Sequence, residues 1–187
     1  EDLYPWLKDC LNDPEIFKKD PVRFEIFKHF GYFVTESSRH MAEYIPYIMP
    51  HVEEMERLDQ PLRTGEAFAK QNTTRQNHIE RAIEESKSAS LELQKSNEYA
   101  ATIIHAIETD TPTYIYGNVC NTGLITNLLD RCCVEVPCLV NRVGVQGCYV
   151  GDLPLQCASL CQSNVGMQGL TVQAVLAQKR EYVYHSA

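Results

Sequence analysis

"CCVEVPCLV", residues 132–140, holds three cysteines around a glutamate in nine positions. It reads either as a metal knuckle or as a β-strand. Structural zinc sites pair short C-x2-4-C elements with further Cys or His at similar spacing. Here Cys133 and Cys138 are separated by four residues that include Pro137, and no Cys-x-x-Cys or His-x-His follows nearby. In a strand, Cys132 and Cys133 point to opposite faces and cannot both bind one ion. Alternation and valine content favour the strand. Glu135 then lies on the face opposite Val134 and Val136, toward a site or toward water. Pro137 predicts an edge strand or a strand end, because proline cannot donate to a ladder.

Outward from this strand, "PTYIYGNV" (112–119) reads as a second strand and "GVQGCYVGDLP" (144–154) as strand and turn. Residues 155–180 carry Leu160, Val165, Leu170, Val172, Val175 and Leu176 and read as helices. Residues 1 to about 108 also read as helical. Asp20 and Pro21 form an N-cap and first-turn pair. Ile26, Phe27, Phe30, Phe33 and Val34 follow at helical spacing. Hydroxyls in 35–38 start another helix toward Tyr47, which Pro46 strains near its end. Residues 51–75 read as a polar, irregular excursion broken by Pro61 and Gly65. Helix resumes at Gln76, with Ile79 and Ile83 in an amphipathic pattern through "RAIEESKSASLELQKS" (81–96). Ser96 or Asn97 caps a helix carrying Tyr99, Ile103, Ile104 and Ile107. The expected fold class is α/β (α+β), helix-rich, with a small late sheet.

The 187 residues suit one domain or one large lobe with a proper core. A net charge of −8 argues against nucleic-acid and anionic-membrane partners, whose phosphates need clustered Lys and Arg. No apolar run reaches membrane-spanning length. The start, "EDLYPWLKDC", lacks the basic and apolar regions of a signal peptide, so a cytoplasmic setting is expected. It also lacks an initiator Met, which points to a start inside a longer chain. Seven of the eight cysteines fall at or after position 120, and the cysteines are expected as free thiols.

There is no G-x-G-x-x-G, no P-loop and no G-x-S-x-G elbow. "FGYFVTESSRHMAEY" (30–44) gathers Tyr32, Glu36, Ser37, Ser38, His40, Glu43 and Tyr44 between apolar segments. It reads as a cap and turn, or as a site wall with Tyr or His moving a proton.

Five segments stand in order: "DPVRFEIFKHFGYFVTESSRHMAEYIPY" (20–47), "SNEYAATIIHAIET" (96–109), "GNVCNTGLITNL" (117–128), "CCVEVPCLVNRVGVQ" (132–146) and "VGDLPLQCASL" (150–160). Together they resemble the C-terminal half of glycoside hydrolase family 4, in its α-galactosidase and α-glucosidase branch. The resemblance runs over nearly the whole chain. It implies a lactate/malate dehydrogenase-like protein using NAD and Mn2+. Hydride leaves the sugar C3 to NAD, the C2 proton is removed, and the aglycone is eliminated, unlike the two-carboxylate route of most glycosidases. The residues holding NAD and Mn2+ are implied to lie in the N-terminal half, outside these residues, so this chain is implied to be inactive alone. By the same resemblance, Tyr32 matches the region of the base for the C2 proton. Glu36, His40, Asn118, Asn121 and Glu135 match sugar-contacting or supporting positions. For Asn118 and Asn121, turn formation is the other reading. The implied partners are a small sugar, the N-terminal half or another subunit, and further copies in a homo-oligomer. Departures from the family pattern include "CNTG" (120–123), Leu129 and Gly147. The other functional class left open is a non-catalytic assembly lobe or inactive remnant.

Overall fold

The computed structural model describes residues 2–60, 65–88 and 96–186. They fall into two compact units, Glu1–Ser96 and Asn97–Ala187. The architecture is mixed α/β, helix-rich, with a small three-stranded sheet confined to the second unit.

The first unit is helical: α1 (Tyr4–Cys10), α2 (Pro14–Phe17), α3 (Pro21–Phe30), α4 (Ser38–Tyr44), α5 (Val52–Arg57) and α6 (Gly65–Ser88). Three of these carry proline at the start, where a missing N–H costs nothing. Cys10, Phe24 and Phe27 form a buried cluster, closed by Leu7, Leu11, Ile16, Phe17 and Phe33. Gly31 ends α3 in the left-handed region, at φ 80°, its N–H donating to Phe27 O at 2.9 Å. Phe33 and Val34 therefore lie beyond the helix that their spacing predicted. Phe33 nevertheless folds back, its ring 5.2 Å from that of Phe24 and 5.7 Å from that of Phe27.

The predicted start of α4 in 35–38 holds, with Ser37 as N-cap. Its end is earlier than expected. Ile45 is extended (φ −117°, ψ 146°), the conformation that a following proline imposes, so Pro46 stands outside the helix and strains nothing. The expectation of an irregular 51–75 fails. "VEEMER" (52–57) forms α5 around buried Met55, with Glu53 and Glu54 in its first turn and Arg57 in its last. Residues 65–75 are already helical, ahead of the Gln76 start expected from sequence. Pro61 and the part of the amphipathic run at 89–95 lie outside the described residues.

The second unit comprises α7 (Ala100–Thr109), β1 (Thr113–Cys120), β2 (Cys133–Asn141), β3 (Gly144–Gly147), α8 (Leu155–Ala177) and α9 (Glu181–His185). The N-cap of α7 is Tyr99, not Ser96 or Asn97, and it makes no side-chain cap bond. The sheet order is β1-β2-β3, all antiparallel. One face of β2 carries Val134, Val136, Cys138 and Val140, all buried, against Ala106 of α7, Ile115 of β1 and Ile125. The other face carries exposed Cys133, Glu135 and Pro137. "CCVEVPCLV" is thus a strand.

Pro137 does not mark an edge, because β2 is the central strand. It pairs with Tyr116 of β1, while its carbonyl accepts from Cys148 N–H at 2.8 Å on the other side. In an antiparallel strand the N–H and C=O of one residue point the same way. The absent N–H therefore falls on the β3 side, one residue past the last β3 pair, Cys138 with Gly147. The β1 ladder loses nothing.

All eight cysteines are free thiols. Cys10 and Cys138 are buried, and Cys120 and Cys133 are exposed. No described helix is long and apolar enough to cross a membrane.

Candidate functional site

The α3–α4 connection, residues 31–37, carries the first group of polar side chains. After Gly31 reverses the chain, Tyr32 is left 47% exposed, and its hydroxyl has no hydrogen-bond partner among the described residues. The connection itself is held on both sides. Arg23 Nε donates to Val34 O at 2.9 Å, and its guanidinium lies 4.3 Å from the Phe33 ring centre. Arg23 Nη1 donates to Asp20 Oδ2 at 3.1 Å, and the buried Ser38 hydroxyl donates to Asp20 Oδ1 at 3.1 Å. Ser38 Oγ in turn accepts from Arg23 N–H at 3.2 Å. Asp20 occupies the N-cap position of α3 but makes no side-chain cap bond, because its carboxylate ties α3 to α4 instead.

Glu36 and His40 sit four residues apart at the start of α4. His40 Nδ1 is 3.1 Å from Glu36 Oε1, and the same oxygen accepts from Ser37 N–H at 2.8 Å. The Ser37 N–H bond, then the His40 bond, hold the Glu36 carboxyl below the usual carboxylate range. The His40 ring lies 6.4 Å from that of Tyr44. Tyr32, Glu36 and His40 therefore share one braced segment.

The second group lies on the sheet. Asn118 of β1 and Glu135 of β2 are direct cross-strand partners on the exposed face. Their Cα spacing is that of adjacent strands, so one ligand hydroxyl can reach both side chains. Asn121 is placed differently. It is 1% exposed, and its side chain is spent on the 121–132 loop. Nδ2 donates to Ile125 O at 3.0 Å and Leu129 O at 3.2 Å, and Oδ1 accepts from Ile125 N–H at 3.0 Å. This is the turn-forming role of the two read for it.

Among the described residues no group of three or more His, Cys, Asp or Glu side chains could hold a metal ion. The sequence also has no glycine-rich phosphate loop. Among the described residues no such set fits Mn2+.

The network of Asp20, Arg23 and Ser38 was not singled out from sequence. Its members sit in "DPVRF" and "ESS", but only the fold joins positions 15 to 18 residues apart.

Comparison with known proteins gives a consistent picture. An α-galactosidase of Bacillus subtilis (strain 168) is 39% identical over 189 residues, covering 100% of this chain and 43% of the relative. An α-galactosidase of Rhizobium meliloti (strain 1021) is 32% identical over 172 residues, covering 87% and 35%. The chain thus spans about two-fifths of the length of these relatives. Among solved structures, a Thermotoga maritima 6-phospho-β-glucosidase with manganese, NAD+ and glucose-6-phosphate aligns with TM-score 0.66 at 22% identity, over 100% of this chain and 42% of that one. A Bacillus subtilis protein classed as a glucosidase aligns with TM-score 0.80 at 20% identity, over 100% and 45%. At that identity the structures speak for the fold. The family model "Family 4 glycosyl hydrolase C-terminal domain" matches residues 1–187, and the chain belongs to that family.

Proposed function

We propose that this chain is the sugar-facing part of an α-galactosidase-type glycosidase acting on α-galactosides or related α-glucosides by the redox-elimination route. The observation that carries it is the 39% identity to an α-galactosidase across the whole chain. NAD and Mn2+ are supplied through residues outside this chain, so the chain alone is inactive. Tyr32, exposed and without a competing hydrogen bond, is the group that takes the sugar C2 proton. Glu36, kept ionised by Ser37 N–H and His40, accepts from a sugar hydroxyl. Within the second unit, taken by itself, Asn118 and Glu135 form a separate hydroxyl-binding pair on the sheet, and Asn121 shapes the adjoining loop. A cytoplasmic, homo-oligomeric enzyme belongs to the same reading.

A second reading is a non-catalytic assembly lobe. It is favoured by the apolar surface of α8 and α9, where Leu155, Val175, Leu176 and Tyr184 are each more than 70% exposed.

The test is a chimera in which this chain replaces the matching part of the Bacillus subtilis α-galactosidase. Hydrolysis of a nitrophenyl α-galactoside or α-glucoside, dependent on NAD and Mn2+, is expected. A chimera that folds and binds NAD but turns over neither substrate refutes the catalytic reading and leaves the assembly role.

A further inference from the structure

The exposed face of β1 and β2 carries a feature that the sugar reading does not use. Cys120 and Cys133 are direct partners in the antiparallel register, and both thiols are exposed. The type of pairing follows from the backbone. Asn121 N–H donates to Cys132 O at 2.8 Å, while Asn121 O accepts from Arg131 N–H, so the position beyond the last pair carries one cross-strand bond of the hydrogen-bonded phase. Antiparallel pairs alternate, which makes the next one, Cys120 with Cys133, non-hydrogen-bonded. Pro137 supports this phase, since opposite Tyr116 it also falls on a non-hydrogen-bonded pair. Such pairs bring the Cα atoms to about 4.5 Å, with the side chains turned to the same face. A disulfide spans Cα separations of about 4.4–6.8 Å. The backbone separation of the pair thus falls within the range that a disulfide spans.

We propose that Cys120 and Cys133 are a redox-responsive modification site, a cross-strand dithiol that closes to a disulfide on meeting a peroxide. One thiol releases its proton and, as thiolate, attacks a peroxide oxygen; the O–O bond breaks, and the leaving hydroxide takes up a proton to give water, leaving a sulfenic acid. The second thiolate attacks that sulfur, the S–S bond forms, the S–O bond breaks, and a second water leaves. Two thiols lose two electrons, and hydrogen peroxide is reduced to two waters. A dithiol reductant reverses the step by exchange. The pair sits at the short end of the allowed span and is open to solvent, which is the character of a labile disulfide rather than a structural one.

The other cysteines nearby are less suited. Burial pushes the thiols of Cys132, Cys157 and Cys161 up, lowering their thiolate fraction. Cys138 is fully buried in the core. The inference rests on thiol geometry alone and is independent of the sugar assignment.

The experiment treats the full-length protein carrying this chain with hydrogen peroxide, blocks the remaining thiols, and maps disulfide-linked tryptic peptides. Cleavage after Arg131 separates the two partners, and fragmentation locates the bridge among Cys132, Cys133 and Cys138. The expected result is a Cys120–Cys133 bridge, loss of two titratable thiols, and their return with a dithiol. Cys132→Ser keeps the bridge, and Cys133→Ser abolishes it while Cys138 stays protected from alkylation. A bridge to Cys132 instead overturns the proposal. So does oxidation of Cys120 with no cross-link, or two thiols that still alkylate fully after peroxide.

Discussion

Replacing Asn121 by alanine separates a structural role from a sugar contact. The Asn121 side chain bridges both backbone groups of Ile125, each at 3.0 Å, within a loop whose neck is closed by Asn121 N–H on Cys132 O and Arg131 N–H on Asn121 O. Alanine leaves the N–H and C=O of buried Ile125 without these partners. The Leu129 carbonyl loses one of its two donors and keeps Cys132 N–H at 3.3 Å. One orphaned buried polar group costs about 1–3 kcal/mol. Taking the low end of that range for each of the two Ile125 groups, the loop loses about 2–3 kcal/mol in all. At 1.4 kcal/mol per factor of ten, exchange of the Ile125 and Thr126 amides through local opening speeds up about 30-fold to 140-fold. Hydrogen exchange read residue by residue measures this. Unchanged exchange in Asn121→Ala, together with a raised KM for the glycoside, would refute the reasoning and give Asn121 to the sugar.

Three further outcomes are expected. Tyr32→Phe in the active chimera lowers kcat by about 10²–10⁴-fold with KM little changed, since a proton-transfer group is removed and its ring kept; steady-state kinetics decide. Gly147→Ala puts a Cβ 2.6 Å from Leu124 Cδ1 and 3.2 Å from Val119 Cγ2, costing about 1–3 kcal/mol, visible as a lowered Tm. In a carboxyl NMR titration Glu36 ionises below the ordinary glutamate range. The stability that this depressed pKa brings is present above the ordinary range and lost as pH falls through the folded value. His40→Gln raises the midpoint only partway, because the Ser37 N–H bond, the larger cause, remains.

The sheet was legible because its signal is local: alternation in "CCVEVPCLV" put Val134 and Val136 on one face and Glu135 on the other. The place of Pro137 was not, because sequence shows that a donor is missing but not on which side. Helix α5 was hidden by its polarity, with Met55 its one buried residue. Gly65 looked like a break and instead lies in α6. At the candidate site, Glu36 and His40 were legible as i, i+4 neighbours. The pairing of Asn118 with Glu135 needed the register, which depends on residues 17 apart. Asn121 carried the signals of both a turn and a ligand, and only its burial distinguishes them.

The position of Pro137 bears on how this sheet behaves in a crowd. Past the last β3 pair, β2 runs on through residues 133–136 with no third strand beside it. Open strand edges recruit other strands and seed aggregation. At that boundary Pro137 accepts from Cys148 N–H and has no N–H to return, so the β3 ladder stops on a single bond. A strand docking farther along β2 would pair with residues 133–136 beside the charge of Glu135. The proline thus sets where β3 leaves β2 while costing the β1 pairing nothing.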